Sequence, residues 1–127
     1  MSEGFILVVE DEPLLLETFC FVLEEAGYAV KCVESATLAE RVLEDDGEAV
    51  KALITDISLG RGKTGWDLAL RAREIRPDLP VLYLTGYGGT SPSRQQVSGS
   101  EVIPKPMLPA QLVEQVNRMI GAGYPPK

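Results

Sequence analysis

The sequence predicts an α/β domain built on a doubly wound, five-stranded parallel sheet with helices on both faces. Two observations carry that prediction. Five short apolar runs recur along the chain, and segments with helical apolar spacing stand between them. Most of the runs are continuously apolar rather than alternating, as strands covered on both faces should be. Strict alternation of strand and helix then requires parallel pairing through right-handed crossovers.

The elements follow in order. Strands are expected at Phe5 to Val9, Ala29 to Val33, Ala52 to Asp56, Val81 to Thr85, and around Val102 and Ile103. The first helix is read from Leu16, Phe19, Cys20 and Leu23 at i, i+3, i+4 and i+7, with Pro13 in its first turn and Gly27 as its stop. A second runs from a Ser35 cap through Leu38, Val42 and Leu43 to Gly47. The third carries Leu68, Ala72 and Ile75 before Pro77 ends it, and the last carries Leu108, Leu112, Val116 and Ile120. Between Gly88 and Ser100 the alternation calls for a fourth helix, but the glycines, serines and Pro92 there disfavour it, so it is expected to be short, frayed or mobile.

The 127 residues, 45% of them hydrophobic, suit one core of ordinary size. Residues 1–120 are read as that domain, and 121–127, with two glycines and two prolines, as a flexible tail. Twelve basic against nineteen acidic residues give a net charge of −7, a field that repels nucleic acid and anionic membranes. Histidine is absent, so any chemistry runs on carboxylates, hydroxyls and lysines. Cys20 and Cys32 lie in apolar segments without ligand-like spacing and are expected to be reduced core residues. A cytoplasmic location is expected, since neither a leader pattern nor an apolar span is seen.

In open parallel sheets ligands bind beyond the carboxyl ends of the strands. Those positions hold Glu10, Asp11 and Glu12 after the first strand, Asp56 at the end of the third, Thr85 at the end of the fourth and Lys105 after the fifth. Acidic groups crowded together repel one another unless a cation compensates, and carboxylates with water suit magnesium. An oxygen nucleophile, a divalent metal, a hydroxyl and a lysine together are the equipment of phosphoryl transfer.

Val8-Val9-Glu10-Asp11-Glu12-Pro13, Leu53-Ile54-Thr55-Asp56, Leu84-Thr85-Gly86 and Lys105-Pro106 resemble the signature stretches of bacterial response-regulator receivers, in the family's order and spacing. The resemblance spans essentially the whole chain. It implies a flavodoxin-like strand order 2-1-3-4-5 and a phosphoacceptor of two-component or phosphorelay signalling. Asp56 would take a phosphoryl group, with Mg2+, from a sensor histidine kinase or histidine phosphotransfer protein. Glu10, Asp11, Asp56 and the Ser58 backbone carbonyl would hold the metal, directly or through water. Thr85 would bond a phosphoryl oxygen, Lys105 would pair with Asp56 or its phosphate, and Ser58 and Tyr87 would tune phosphate lifetime. A cis peptide is expected at Lys105-Pro106. The signal would pass by protein contacts to a downstream partner, or the domain would act as a phosphate sink.

The chain departs from the family pattern at Val102, where receivers usually carry a switch aromatic. Tyr83-Leu84-Thr85-Gly86-Tyr87 is partly similar to the Phe-Ala-Thr-Gly-x-Tyr stretch of receivers that lack that residue. This departure predicts that phosphorylation orders the Gly88 to Ser100 segment rather than turning a ring. The loop from Ser58 to Gly65 is about one residue longer than usual, with Gly60 where proline is common. Two other readings use the same residues. Gly62-Lys63-Thr64 looks like the end of a P-loop, but Ile57 stands where its first glycine belongs. A Mg2+-dependent phosphatase or nucleotide hydrolase would use the same carboxylates, yet the Asp-x-Asp of the haloacid-dehalogenase type is missing around Asp11.

Overall fold

A computed structural model describes residues 4–59, 64–86, 96–105 and 107–121. Its five strands are β1 (Phe5–Val9), β2 (Val30–Val33), β3 (Val50–Asp56), β4 (Val81–Thr85) and β5 (Glu101–Pro104). All neighbours pair in parallel, in the order β2-β1-β3-β4-β5. The α/β class and strand order are therefore as expected. The predicted helix between Gly88 and Ser100 falls largely on residues outside those described, and residues 96–100 form a turn.

Strand alternation divides the interior into two cores. Leu7, Val9, Leu53, Val81 and Tyr83 face the side covered by α2 (Ala36–Asp46) and α3 (Gly65–Ile75). Ile6, Val8, Ile54, Leu82 and Leu84 face α1 (Pro13–Glu25) and α4 (Pro109–Val116). Because both faces of β1, β3 and β4 are buried, their central residues are apolar, and polar Asp56 and Thr85 come at the carboxyl ends of β3 and β4.

The helices begin and end where local chemistry sets them. Pro13 occupies the first turn of α1, where its missing N–H costs nothing, and Gly27 takes φ 101°, a left-handed turn that lets the Tyr28 N–H reach back to the Leu23 carbonyl. The Ser35 side chain caps α2 by accepting from the Leu38 N–H at 3.2 Å. Thr64 and Asp67 form a reciprocal capping box at the start of α3, a pairing the sequence reading did not single out. Beyond Val116 the last helix widens into a π-turn over Asn117–Gly121.

Three expectations need correction. Leu38 and Leu108 are not core residues: they are exposed, and the buried stripes are Ala36, Ala39 and Leu43 on α2 and Leu112, Val116 and Met119 toward the C-terminus. A helical period of 3.6 defines a stripe, but not which residue at its margin turns outward. Cys20 and Cys32 are not separate thiols either. They are joined as a disulfide with Cα atoms 6.6 Å apart, because α1 lies across the β1–β2 edge and sets the two residues opposite one another.

Among the described residues no helix is long and apolar enough to cross a membrane. Arg76, which follows α3, ties that helix to the turn before β3: its guanidinium donates to the carbonyls of Gly47 and Val50, each at 2.9 Å. Replacing it with alanine leaves those carbonyls without their charged donor and is expected to lower stability by about 1–2 kcal/mol, read as a shifted urea midpoint at unchanged slope.

Candidate functional site

The carboxyl ends of β1, β3 and β4 lie side by side in the sheet, which brings together residues far apart in sequence. Glu10, Asp11 and Asp56 each offer a carboxylate oxygen, and those oxygens lie within 4.8 Å of one another. Glu10 and Asp56 are buried, at 1% and 5% exposure, while Asp11 is exposed. The cluster is thus a floor of two sheltered carboxylates with a third at its open rim.

Lys105 reaches into this floor from the end of β5. Its ammonium donates to Glu10 Oε1 at 3.0 Å and to Asp56 Oδ2 at 3.3 Å. The backbone aims it: the Lys105 N–H donates to the Thr85 carbonyl at 2.7 Å, continuing the β4–β5 ladder past Pro104. The expected pairing with Asp56 is present, but the shorter bond goes to Glu10, a partner the sequence reading did not name. Burial pushes the Glu10 carboxyl up from its ordinary range, and the Lys105 hydrogen bond pulls it only part of the way back. Burial works against the Lys105 charge, yet its bond to Glu10 and the nearby Asp56 leave the ammonium more firmly protonated than usual.

Around Asp56 the backbone is tightly held. The Ile57 N–H donates to the Leu84 carbonyl at 3.0 Å, the Ser58 N–H approaches Asp56 Oδ1 at 3.4 Å, and the Gly65 N–H donates to the Ile57 carbonyl at 2.7 Å. That last bond returns the chain under the acceptor strand so closely that a Cβ on Gly65 would overlap the Asp56 carbonyl oxygen. The sequence reading missed this role of Gly65. Thr85, buried at 6% exposure, sits one register position beyond the Asp56–Leu84 pair. Ser58 is exposed beside the cluster, whereas Tyr87 and Pro106 lie outside the described residues.

A model of the response regulator receiver domain matches residues 6–117 of this sequence. The chain belongs to the response regulator receiver family. A response regulator receiver protein CpdR from Brucella abortus (strain 2308) is 31% identical over 117 residues, 91% of this chain and 95% of that protein. A solved receiver protein from Sinorhizobium medicae WSM419 superposes with a TM-score of 0.87 at 34% identity, covering 94% of this chain and 95% of that one. The alginate biosynthesis regulator AlgB of Pseudomonas putida is 31% identical over 113 residues, but this receiver spans only 25% of its length.

As a receiver the chain is a phosphoacceptor module, and its family implies a histidine kinase or phosphotransfer partner. The acidic triad is of the kind that holds Mg2+ in such domains. The donor set fits that ion on chemical grounds: three carboxylates against one ammonium leave a net local charge of about −2, and hard oxygen donors at one open edge suit a small divalent cation that keeps several waters.

Lys105→Ala tests the balance of these charges. Without the ammonium, Glu10 stays buried beside Asp56 and must take up a proton or repel its neighbour. The expected cost is about 1–2 kcal/mol without metal, less than for a fully sealed pair because Lys105 retains 15% exposure. Added Mg2+ should recover part of it, read as a larger metal-induced rise in melting temperature than in wild type.

Proposed function

We propose that this receiver accepts a phosphoryl group on Asp56 from a histidine kinase or phosphotransfer protein in a Mg2+-dependent reaction and signals through protein contacts. The observation that carries this reading is the convergence of Glu10, Asp11 and Asp56 within 4.8 Å, with Lys105 bonded into the same cluster.

Each residue has a role its position supports. Asp56 is the nucleophile: its carboxylate oxygen attacks phosphorus, and the bond to the donor's leaving group breaks. Asp11, at the rim, and Asp56 would hold the metal directly, Glu10 would do so directly or through water, and the Ser58 carbonyl would be a further ligand. When bound, the metal offsets the charge that develops on the phosphoryl oxygens. Lys105 supplies a cation on the opposite side of the carboxylates and can exchange its bond to Asp56 for one to the phosphoryl group without leaving Glu10. Thr85, at the end of the neighbouring strand, offers its hydroxyl to a phosphoryl oxygen. Ser58, exposed beside the cluster, and by family resemblance Tyr87 are the residues proposed to tune how long the phosphate persists.

Exposed apolar side chains favour a protein as the phosphodonor. Leu14 and Leu108, at 71% and 67% exposure, each stand three residues along the chain from a residue of the cluster, Asp11 and Lys105. A donor reaching Asp56 from a protein surface would cover them. Incubation with Mg2+ and acetyl phosphate tests the acceptor chemistry. One phosphoryl group should be added per chain, and chelation of the metal should prevent it. Steady turnover of a phosphoester without self-limited labelling would count against the switch.

A further inference from the structure

We propose that Cys20 and Cys32 form a reversible thiol–disulfide modification site, which in its oxidised form clamps α1 to the edge strand β2. The two residues are joined across the helix–strand boundary at a sequence separation of 12. Both sit at the margin of the core on the α1 side rather than at its centre, Cys20 at 9% exposure and Cys32 partly buried. The sheet ladder and the two cores are complete without this bond, so the thiol form retains the fold.

Access distinguishes this pair from a sealed structural disulfide. A surface cavity of about 630 Å³ is lined by both cysteines, together with Pro13, Leu16, Phe21 and Glu34. A small thiol or disulfide can therefore reach the sulfurs without unfolding. Glu17 and Glu24 also border that cavity, and no lysine or arginine does. Carboxylates disfavour a thiolate and repel anions, so the matching co-reactant is a neutral low-molecular-weight disulfide rather than an anionic one. In the exchange, the Cys32 thiolate attacks one sulfur of RSSR and expels RS⁻. The Cys20 thiolate then attacks the resulting mixed disulfide at the Cys32 sulfur and expels a second RS⁻. The two protons lost by the cysteines end on the two RSH molecules, and the two electrons reduce RSSR.

The clamp bears on the elements that flank the acidic cluster. The backbone N–H of Glu10 donates to the Val33 carbonyl at the end of β2, and α1 begins directly after Glu12. β2 is one of the two edge strands of the sheet, paired with β1 alone, and edge strands are prone to local opening. Closing a loop of this length removes freedom mainly from opened and unfolded states.

Equilibrating the full chain in graded ratios of bis(2-hydroxyethyl) disulfide to 2-mercaptoethanol, quenching in acid, denaturing and labelling with N-ethylmaleimide tests the site by intact mass. Wild type should pass from two labels to none, and return to two on adding dithiothreitol. Cys20→Ala should instead hold Cys32 as a mixed disulfide with the reagent. Two labels at every ratio, or oxidation that gives only covalent dimers, would overturn the pair. The oxidised form should have a roughly hundredfold smaller unfolding constant than the reduced form, with slower amide exchange in β2. Equal unfolding constants would overturn the clamp. Neither readout requires phosphorylation, so failure here leaves the acceptor reading intact, and failure of Asp56 labelling leaves this one intact.

Discussion

Asp56→Asn is expected to take up no phosphoryl group from acetyl phosphate in the presence of Mg2+, where wild type takes up one. The substitution keeps the size and shape of the side chain but replaces an anionic nucleophilic oxygen with an amide. The lone Oδ1 can still accept from Lys105 or from the Ser58 N–H, which bond the two carboxylate oxygens separately in the native site, so the fold should survive. Removing one carboxylate also lowers the local negative charge and weakens metal binding. Thr55, Ser58 and Thr85 are the hydroxyl-bearing neighbours that would compete as acceptors, and hydroxylamine separates the cases. It releases an acyl phosphate but leaves a phosphate ester in place. Label that is present in wild type, lost on hydroxylamine treatment and missing from Asp56→Asn assigns the acceptor. Equal labelling of both proteins would remove Asp56 from that role.

The parts of the site that could be read from sequence are those governed by sheet geometry. Asp56, Thr85 and Lys105 each end or follow an apolar run, and in a doubly wound sheet such positions share one edge, so their convergence required only that the strands be found. Features that depend on packing were not legible in the same way. The spacing of Cys20 and Cys32 carries no sign of pairing until α1 is laid across β2. The partner of Lys105 was ambiguous because three carboxylates compete for it, and only depth resolves the choice: Glu10 is the more buried and takes the shorter bond. Leu38 and Leu108 fit the helical period yet face outward, while Ala36 and Ala39, small enough for close helix–sheet approach, take the inward positions on α2. The Thr64–Asp67 capping box was visible in principle as a threonine followed three residues later by an acid.

Gly65→Ala should be the most damaging single-methyl change near the site. A Cβ there would overlap the Asp56 carbonyl oxygen and lie 2.9 Å from the Ile57 Cα, both backbone atoms that cannot rotate away as a side-chain tip would. The neighbouring backbone is held on both sides, by the Ile57 N–H bond to the Leu84 carbonyl and by the Gly65 N–H bond to the Ile57 carbonyl. Relief therefore requires either displacing the start of α3 or moving the acceptor strand, and either costs packing against Trp66, Leu68 and Ala69. Overpacking of this kind costs about 3 kcal/mol, which for a domain of this size is roughly a 10 °C fall in melting temperature. Because the clash falls on the acceptor's own carbonyl, labelling of the remaining folded protein should slow by about tenfold, a consequence of nucleophile misplacement rather than of unfolding. Gly27→Ala separates the two effects. It introduces strain at φ 101° with no atom within 4 Å of the added Cβ, so it should lower stability by about 1 kcal/mol and leave the labelling rate unchanged. If the two variants slowed phosphorylation equally, the tight return of the chain beneath Asp56 would have no part in positioning the acceptor.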